Sequence, residues 1–265
     1  MAKIGDAYVD WKKWNTESFG VFTSIDDAYY SAEIGSANKS AKKPECVLEI
    51  GFGNGEFLGW AASRGAAVYG VELNRNLVAR AREIFKNAAF YSSLYDCGLD
   101  EMAGRVTHLV AFDVLEHVAA EAIPQMLTRM RKLMRDDGVL ILRFPNGDSP
   151  FGRQTQHGDP THVTTLGREK LDFFARNAGL AIRKISGPAL PLRGVGAARA
   201  VRRFGLRAAR SLSERIISTL YFNGTRVALE TNYVAVLVKT ASYPVQQICA
   251  LEVMEADTAA HELAQ

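Results

Sequence analysis

Glu49 stands two residues ahead of three alternate glycines, Gly51, Gly53 and Gly55, in the run Val47-Leu-Glu-Ile-Gly-Phe-Gly-Asn-Gly-Glu-Phe57. Glycines so placed let a backbone turn tightly from a strand into a helix and approach a ligand closely. A dinucleotide fingerprint would read Gly-x-Gly-x-x-Gly and offer amides and a helix N-terminus to a pyrophosphate. Here the spacing is Gly-x-Gly-x-Gly. A carboxylate at Glu49 would repel a pyrophosphate but can hold an amino-acid ammonium group, directly or through water. The pattern favours a cationic, amino-acid-bearing ligand, with a ligand-free glycine turn as the plain alternative. Glu72, at the end of the apolar run 66–71, adds a second acid. At the carboxyl end of a second strand it can accept hydrogen bonds from both hydroxyls of a ribose.

Three of the five histidines stand where they can act on a substrate. His117 ends Asp113-Val-Leu-Glu-His, and His157 and His162 flank Gly158-Asp159-Pro160-Thr161. A neutral imidazole near its ordinary pKa can take the proton of a hydroxyl, so His117 and His162 are the candidate catalytic groups. The alternative for His117 is a structural histidine that orders its loop. Asp148, Asp159 and the histidines match no metal-ligand spacing, and no metal is expected.

Strands and helices alternate along the chain, the pattern of a parallel sheet. Apolar runs predict strands near 46–50, 67–71, 89–93, 106–112, 138–144, 180–185 and 231–239. Helices are predicted near 55–64, 74–87, 119–135, 168–178 and within 197–220. The loop from Arg143-Phe-Pro-Asn-Gly-Asp-Ser-Pro150 onward is rich in helix breakers and long enough to choose an acceptor.

Glu49-Ile-Gly-Phe-Gly-Asn-Gly55, Val71-Glu-Leu73, Phe112-Asp-Val-Leu-Glu-His-Val118 and Leu133-Met-Arg-Asp-Asp-Gly-Val-Leu-Ile141 together resemble the class I S-adenosylmethionine-dependent methyltransferases. The likeness runs over about residues 46–185. It implies an α/β fold, a doubly wound Rossmann-like seven-stranded sheet of order 3-2-1-4-5-7-6 whose last two strands are antiparallel. It also implies S-adenosyl-L-methionine as cofactor. Glu49, Gly51, Phe52, Gly53 and Gly55 would hold the methionine part, and Glu72 and Leu73 the ribose. The Leu94-Tyr95-Asp96 loop would take the adenine, with Asp113 and Val114 completing the site after the fourth strand.

The acceptor expected on this likeness is a hydroxyl of a saccharide, a glycolipid or a small metabolite. An RNA substrate is the alternative, since Glu49–Gly55 is also similar to the transfer-RNA guanine-N7 methyltransferases. Their Pro-Asp-Pro-Trp segment is absent, with Phe112-Asp-Val-Leu-Glu-His117 in its place, and nucleic acid is not the favoured partner. A non-catalytic binding protein on the same fold is a third reading, against which the intact glycine turn, Glu72 and Asp113 count.

Around this core the chain divides into a helical, aromatic extension or lid (1–45), the cofactor-binding core (46–187), a basic helical insertion between strands 6 and 7 (188–228), the last core strand (229–240) and a tail (241–265). Trp11, Trp14, Phe19, Phe22, Tyr29 and Tyr30 crowd the extension, which is weakly similar to leaders on bacterial methyltransferases of polysaccharide synthesis. Such an extension serves as core or as a lid that keeps water from the reaction. Lys39, Lys42 and Lys43 mark a linker. In the insertion, seven arginines from Arg193 to Arg215 face a single acid, Glu214, although the whole chain is only +3. Phe204, Ala208, Leu212, Ile216 and Leu220 recur every four residues as an apolar stripe. A basic amphipathic helix over 199–220 suits peripheral contact with an anionic membrane, a phosphorylated acceptor, or packing on the domain or in a homodimer. With no leader-like or spanning apolar run, the expected location is the cytoplasm, with peripheral attachment at the inner membrane surface as an option. Cys46, Cys97 and Cys249 are too few and scattered for a disulfide framework or a zinc site.

Overall fold

The computed structural model describes residues 11, 12, 14, 16–37, 44–192, 195–224 and 228–240. The Lys39–Lys43 linker, Arg193, Cys249 and the tail fall outside these residues. Strand β1 (Cys46–Ile50) is buried on both faces, which is why it reads as a nearly continuous apolar run. It lies between two parallel partners, β2 (Ala67–Val71) and β4 (Val106–Phe112). Beyond them, β3 (Ala89–Tyr91) and β5 (Met134–Pro145) extend the parallel sheet. Strand β7 (Asn232–Lys239) inserts antiparallel between β5 and β6 (Leu180–Ser186). The resulting order is 3-2-1-4-5-7-6.

Helices cover both faces. On one side α1 (Ser24–Ala37), α2 (Glu56–Ser63) and α3 (Arg75–Ile84) close a core containing Ile34, Phe57, Trp60 and Leu77. On the other, α4 (Ile123–Leu133) and α6 (Arg168–Asn177) bring Leu127, Met130, Leu171 and Phe174 onto the sheet. Between them in sequence lies the short α5 (Arg153–Gly158). Much of the aromatic extension is therefore core. Phe19 is buried, and Tyr30 stacks on Phe112 at 6.3 Å between ring centroids and lies 5.2 Å from Phe57 and 5.8 Å from Trp60.

Several boundaries depart from the sequence expectation, among them the helix expected over 74–87, which ends at Ile84. Strand β5 starts at Met134 rather than 138, because Met134 pairs with Val106 and an irregularity between Val106 and His108 absorbs the residues before Val139. Helix α4 starts at Ile123 rather than 119. Two single 3₁₀ turns, Leu115–His117 and Ala120–Ala122, precede it, and Pro124 sits in its first turn. Strand β3 stops at Tyr91, where Ser93 begins a turn by accepting from the Tyr95 amide.

The long helix α7 (Ala197–Tyr221) is inside out. The Arg203 guanidinium donates to the Pro191 carbonyl at 2.6 Å, Arg210 lies 3.8 Å from Glu230, and Glu214 accepts from the Leu229 amide. These contacts turn one polar face toward the body. The apolar stripe consequently points away, leaving Phe204 66% and Leu220 70% exposed, with Val201, Leu212 and Ile216 exposed between them.

Candidate functional site

A cavity of about 440 Å³ opens over the carboxyl ends of β1, β2 and β4, the place where open α/β sheets receive ligands. Its floor is the turn after β1. Gly51 adopts φ 71°, and a Cβ there would stand 2.7 Å from Val114 Cγ2, so both conformation and space demand glycine. Gly55 is equally constrained, since a Cβ would meet the Phe19 ring at 2.7 Å. Gly53 adds its amide, which donates to Glu72 Oε2 at 3.1 Å.

Two buried carboxylates face this cavity. Glu72 is fixed at both oxygens, with Oε1 accepting from the Asn74 amide at 3.0 Å. Each oxygen keeps a further lone pair. Glu49 differs. It is 5% exposed, and its Oε2 has no hydrogen-bond partner among the described residues. Burial, then the neighbouring Glu56, pushes its carboxyl well above the usual range. A buried acid with an orphan oxygen on a cavity wall is prepared for a cationic donor, and the ammonium of a methionine moiety is such a group. The donor set thus fits S-adenosyl-L-methionine, whose amino group Glu49 would hold and whose ribose Glu72 would hold.

Glu49, Gly51, Phe52, Glu72, Leu73, Leu94, Asp113, Val114 and His117 all line this cavity. Four expected residues do not line it: Gly53, whose amide is engaged by Glu72, Gly55, which lies against the Phe19 ring, and Asp96 and His162. Asp96 turns away, its Oδ1 accepting from the Gly98 amide at 2.9 Å to cap a 3₁₀ turn, and Ser93 and Tyr95 line the wall instead. His162 lies behind His117, with ring centroids 4.6 Å apart. Asp113 reaches the wall already engaged. At φ 57° it occupies the left-handed region, and both its oxygens accept from Arg143 Nε at 2.9 and 3.1 Å, while Nη2 also contacts Oδ2. Arg143 in turn lies 4.9 Å over the Phe112 ring and 3.4 Å from the Tyr29 hydroxyl.

The histidine wall is built by backbone pairing. The amides of Val163 and Thr164 both donate to the Glu116 carbonyl, at 2.8 and 3.0 Å, and the Thr164 hydroxyl donates to the Val118 carbonyl. The 159–164 loop is thereby laid against the turn that carries His117. Asp159 braces the loop by accepting from the Thr161 amide and hydroxyl, and pairs with Lys12 at 3.0 Å. Burial, then the neighbouring His162, lowers the His117 pKa. His157 is exposed on α5, and Asp148 accepts from the Arg168 amide beside a second cleft, so neither joins this group.

Lys12, Asn54 and Glu56 also line the cavity without having been singled out in the sequence, while Trp14 and Tyr30 come from the extension read as core or lid and Arg143 from the head of the expected acceptor loop. Trp14 lies over the glycine turn, where a Cβ on Gly53 would meet its ring at 2.8 Å. Nothing local marked Arg143 as the partner of Asp113, thirty residues earlier. The larger cleft, about 960 Å³ between α7, β6 and α1, contains Arg168, Lys184, Arg207 and Arg210 but none of the glycine turn.

A family model described as a methyltransferase domain matches residues 23–185. No curated protein matches the chain. Among solved structures, the chain is similar to a SAM-dependent methyltransferase from Archaeoglobus fulgidus, at 17% identity and TM-score 0.57, over 89% of this chain and 100% of that one. A TehB-like SAM-dependent methyltransferase from Corynebacterium glutamicum gives 14% and 0.54, over 89% and 100%. The cyclopropane synthase MmaA2 from Mycobacterium tuberculosis gives 17% and 0.50, over 81% and 82%. At these identities the likeness is one of fold.

Proposed function

The chain belongs to the S-adenosyl-L-methionine-dependent methyltransferases of this methyltransferase-domain family, and from that premise we propose that it methylates a hydroxyl of a saccharide, a glycolipid or a small metabolite. The observation that carries this reading is the shared cavity: the orphan carboxylate of Glu49 and the glycine turn on one wall, the His117 imidazole on another. When bound, the cofactor supplies a sulfonium methyl, whose C–S electrons stay on sulfur as the acceptor oxygen takes the methyl and loses its proton. Such a displacement needs few chemical groups and is accelerated chiefly by placement and by a dry, preorganised site. Glu49, Glu72 and the backbone at Gly53 orient the donor. His117, backed by His162, receives the acceptor hydroxyl. Lys12 and Trp14 reach from the extension across the mouth, between the glycine turn and Asp159, as a lid would.

The exposed stripe on α7 supports a further part of the reading, that the enzyme works at an anionic membrane surface. No described helix is long and apolar enough to cross a membrane. Val201, Phe204, Leu212, Ile216 and Leu220 instead form an outward apolar face, with Arg199, Arg202 and Arg215 exposed on the same helix. This pairing of apolar area and positive charge matches a bilayer interface carrying acidic lipids.

The test is to supply cofactor labelled in its methyl group to fractionated extract of the source cell. Label in an alkali-stable methyl ether of a saccharide, lipid or metabolite is expected. Label confined to RNA, or none despite measurable cofactor binding, would overturn the acceptor assignment.

A further inference from the structure

Glu116 is 1% exposed, and neither of its carboxylate oxygens has a hydrogen-bond partner among the described residues. An unpaired carboxyl so deep is costly, and protonating it does not remove the cost, since an acid hydroxyl also needs an acceptor. Ligating atoms of Glu116, His117 and His162 all lie within 4.8 Å of one another. The hydrogen bonds around the two rings fix which nitrogen carries the proton. His162 Nδ1 lies 3.1 Å from the Gln156 carbonyl, which only accepts, so Nδ1 carries a proton and the neutral ring has its lone pair on Nε2. That lone pair sits 3.9 Å from Glu116 Oε1 and 3.8 Å from Asp159 Oδ2. His117 Nδ1 faces the Thr161 carbonyl at 3.3 Å and its hydroxyl oxygen at 2.9 Å. The Thr161 hydroxyl gives its own hydrogen to Asp159 Oδ1 at 2.6 Å, so both neighbours accept and the His117 lone pair is likewise on Nε2.

Two imidazoles held as Nε2 donors by outer hydrogen bonds, joined to one unsatisfied carboxylate, form a donor set suited to a divalent first-row transition metal. We propose that Glu116, His117 and His162 bind such a cation at the acceptor wall of the cavity. The 3.9 Å between His162 Nε2 and Glu116 Oε1, with all three ligating atoms within 4.8 Å, leaves room for an ion, and small side-chain rotations bring them to bonding distance. The three ligands leave coordination positions open, as a catalytic rather than a structural site does. The role of the ion rests on the methyl-transfer reading above. An acceptor hydroxyl reaching the ion past His117, the one of the three ligands that lines the cavity, would lose its proton to solvent near neutral pH. His117 and His162 are then ligands rather than bases. The separation of His162 from Glu116-His117 in sequence is what hid the set from spacing rules.

The test uses the full chain, freed of metal by a chelator and titrated with Mn(II) alone, free ion being followed by electron paramagnetic resonance. One equivalent per chain is expected to bind. Glu116→Gln and His162→Gln are each expected to weaken binding by at least about 10- to 100-fold, since even loss of a ligand's outer partner has an effect of that size. Affinity for S-adenosylhomocysteine, measured by calorimetry, stays unchanged in both variants. If Glu116→Gln does not fold, His162→Gln carries the comparison. Absence of saturable binding up to about 1 mM, the weak limit of specific divalent sites, or unaltered binding in the variants, overturns the site. Intact metal binding without affinity for S-adenosylhomocysteine would instead sink the methyl-transfer reading and leave the ion site standing.

Discussion

Replacing Glu49 by glutamine separates the binding role of this residue from its place in the sheet. The side chain keeps its shape and loses its charge. In the free protein Glu49 is buried, pushed above its ordinary value of 4.5, and lacks a partner at Oε2. Because the folded state holds this proton more tightly than the unfolded state, its contribution to stability falls as pH climbs from 4.5 through the raised folded value. Glutamine removes that loss, so the free variant is expected to unfold at the same temperature as the parent or higher. The cofactor complex behaves oppositely. A hydrogen bond to a charged group contributes about 1.5–3 kcal/mol, so losing it weakens cofactor affinity about 10- to 150-fold.

Protons supply an independent readout. Placing an ammonium beside Glu49 favours its ionised form, so binding releases a proton wherever the free carboxyl is protonated. Affinity of the parent then rises with pH above 4.5 and below the ordinary range of an amino group, and glutamine flattens the slope. Calorimetry in two buffers of different ionisation enthalpy measures affinity and proton count together. A variant that binds within about threefold of the parent, under 1 kcal/mol, and shows the same proton release would refute the assignment of Glu49 to the amino group.

Gly51→Ala places a Cβ 2.7 Å from Val114 Cγ2 in a left-handed conformation, and should cost about 1–3 kcal/mol of stability together with measurable cofactor affinity; chemical denaturation with and without cofactor checks both. His108 is fully buried, its Nε2 without a partner among the described residues, and burial, then Arg135, pushes its pKa down to about 4 from 6.5. Folding therefore holds its full stability above pH 6.5 and loses about 1.4 kcal/mol per unit as pH falls toward 4. Urea denaturation at pH 7 and pH 5 should show this slope reduced in His108→Gln. For the helix α7, Leu212→Glu with Ile216→Glu should abolish sedimentation with vesicles containing acidic phospholipid while cofactor affinity stays unchanged. Binding that survives both substitutions would remove the membrane from the proposal.

The sheet was legible because its evidence is local and repeated: strands buried on both faces betray themselves as apolar runs, and β1, β2 and β4 fall where those runs are. The glycine turn was legible for a related reason, since Gly51 and Gly55 are forced by contacts with Val114 and Phe19 that leave no room for a side chain. What escaped were residues whose meaning depends on a partner far along the chain. Asp113 reads as a free cofactor ligand until Arg143 is seen to hold it. Asp96 reads as an adenine contact until its carboxylate is found capping the turn that it begins.

Helix α7 shows how a correct pattern can mislead in direction. The four-residue stripe is real, and in an ordinary domain it would face the core. Here Arg203, Arg210 and Glu214 hold the opposite face against the body, so two of the arginines that sequence offered as membrane contacts, Arg203 and Arg210, are engaged by the protein itself. The stripe itself is left in water. Amphipathic periodicity fixes where a helix divides into two faces, but the choice of which face meets the protein is made by partners such as Pro191 and Glu230. A membrane role for α7 therefore rests on the apolar residues first and on Arg199, Arg202 and Arg215 second. Reversing the charge of Arg203, Arg207 and Arg210 should disturb the 960 Å³ cleft, which Arg207 and Arg210 line, more than it disturbs vesicle binding.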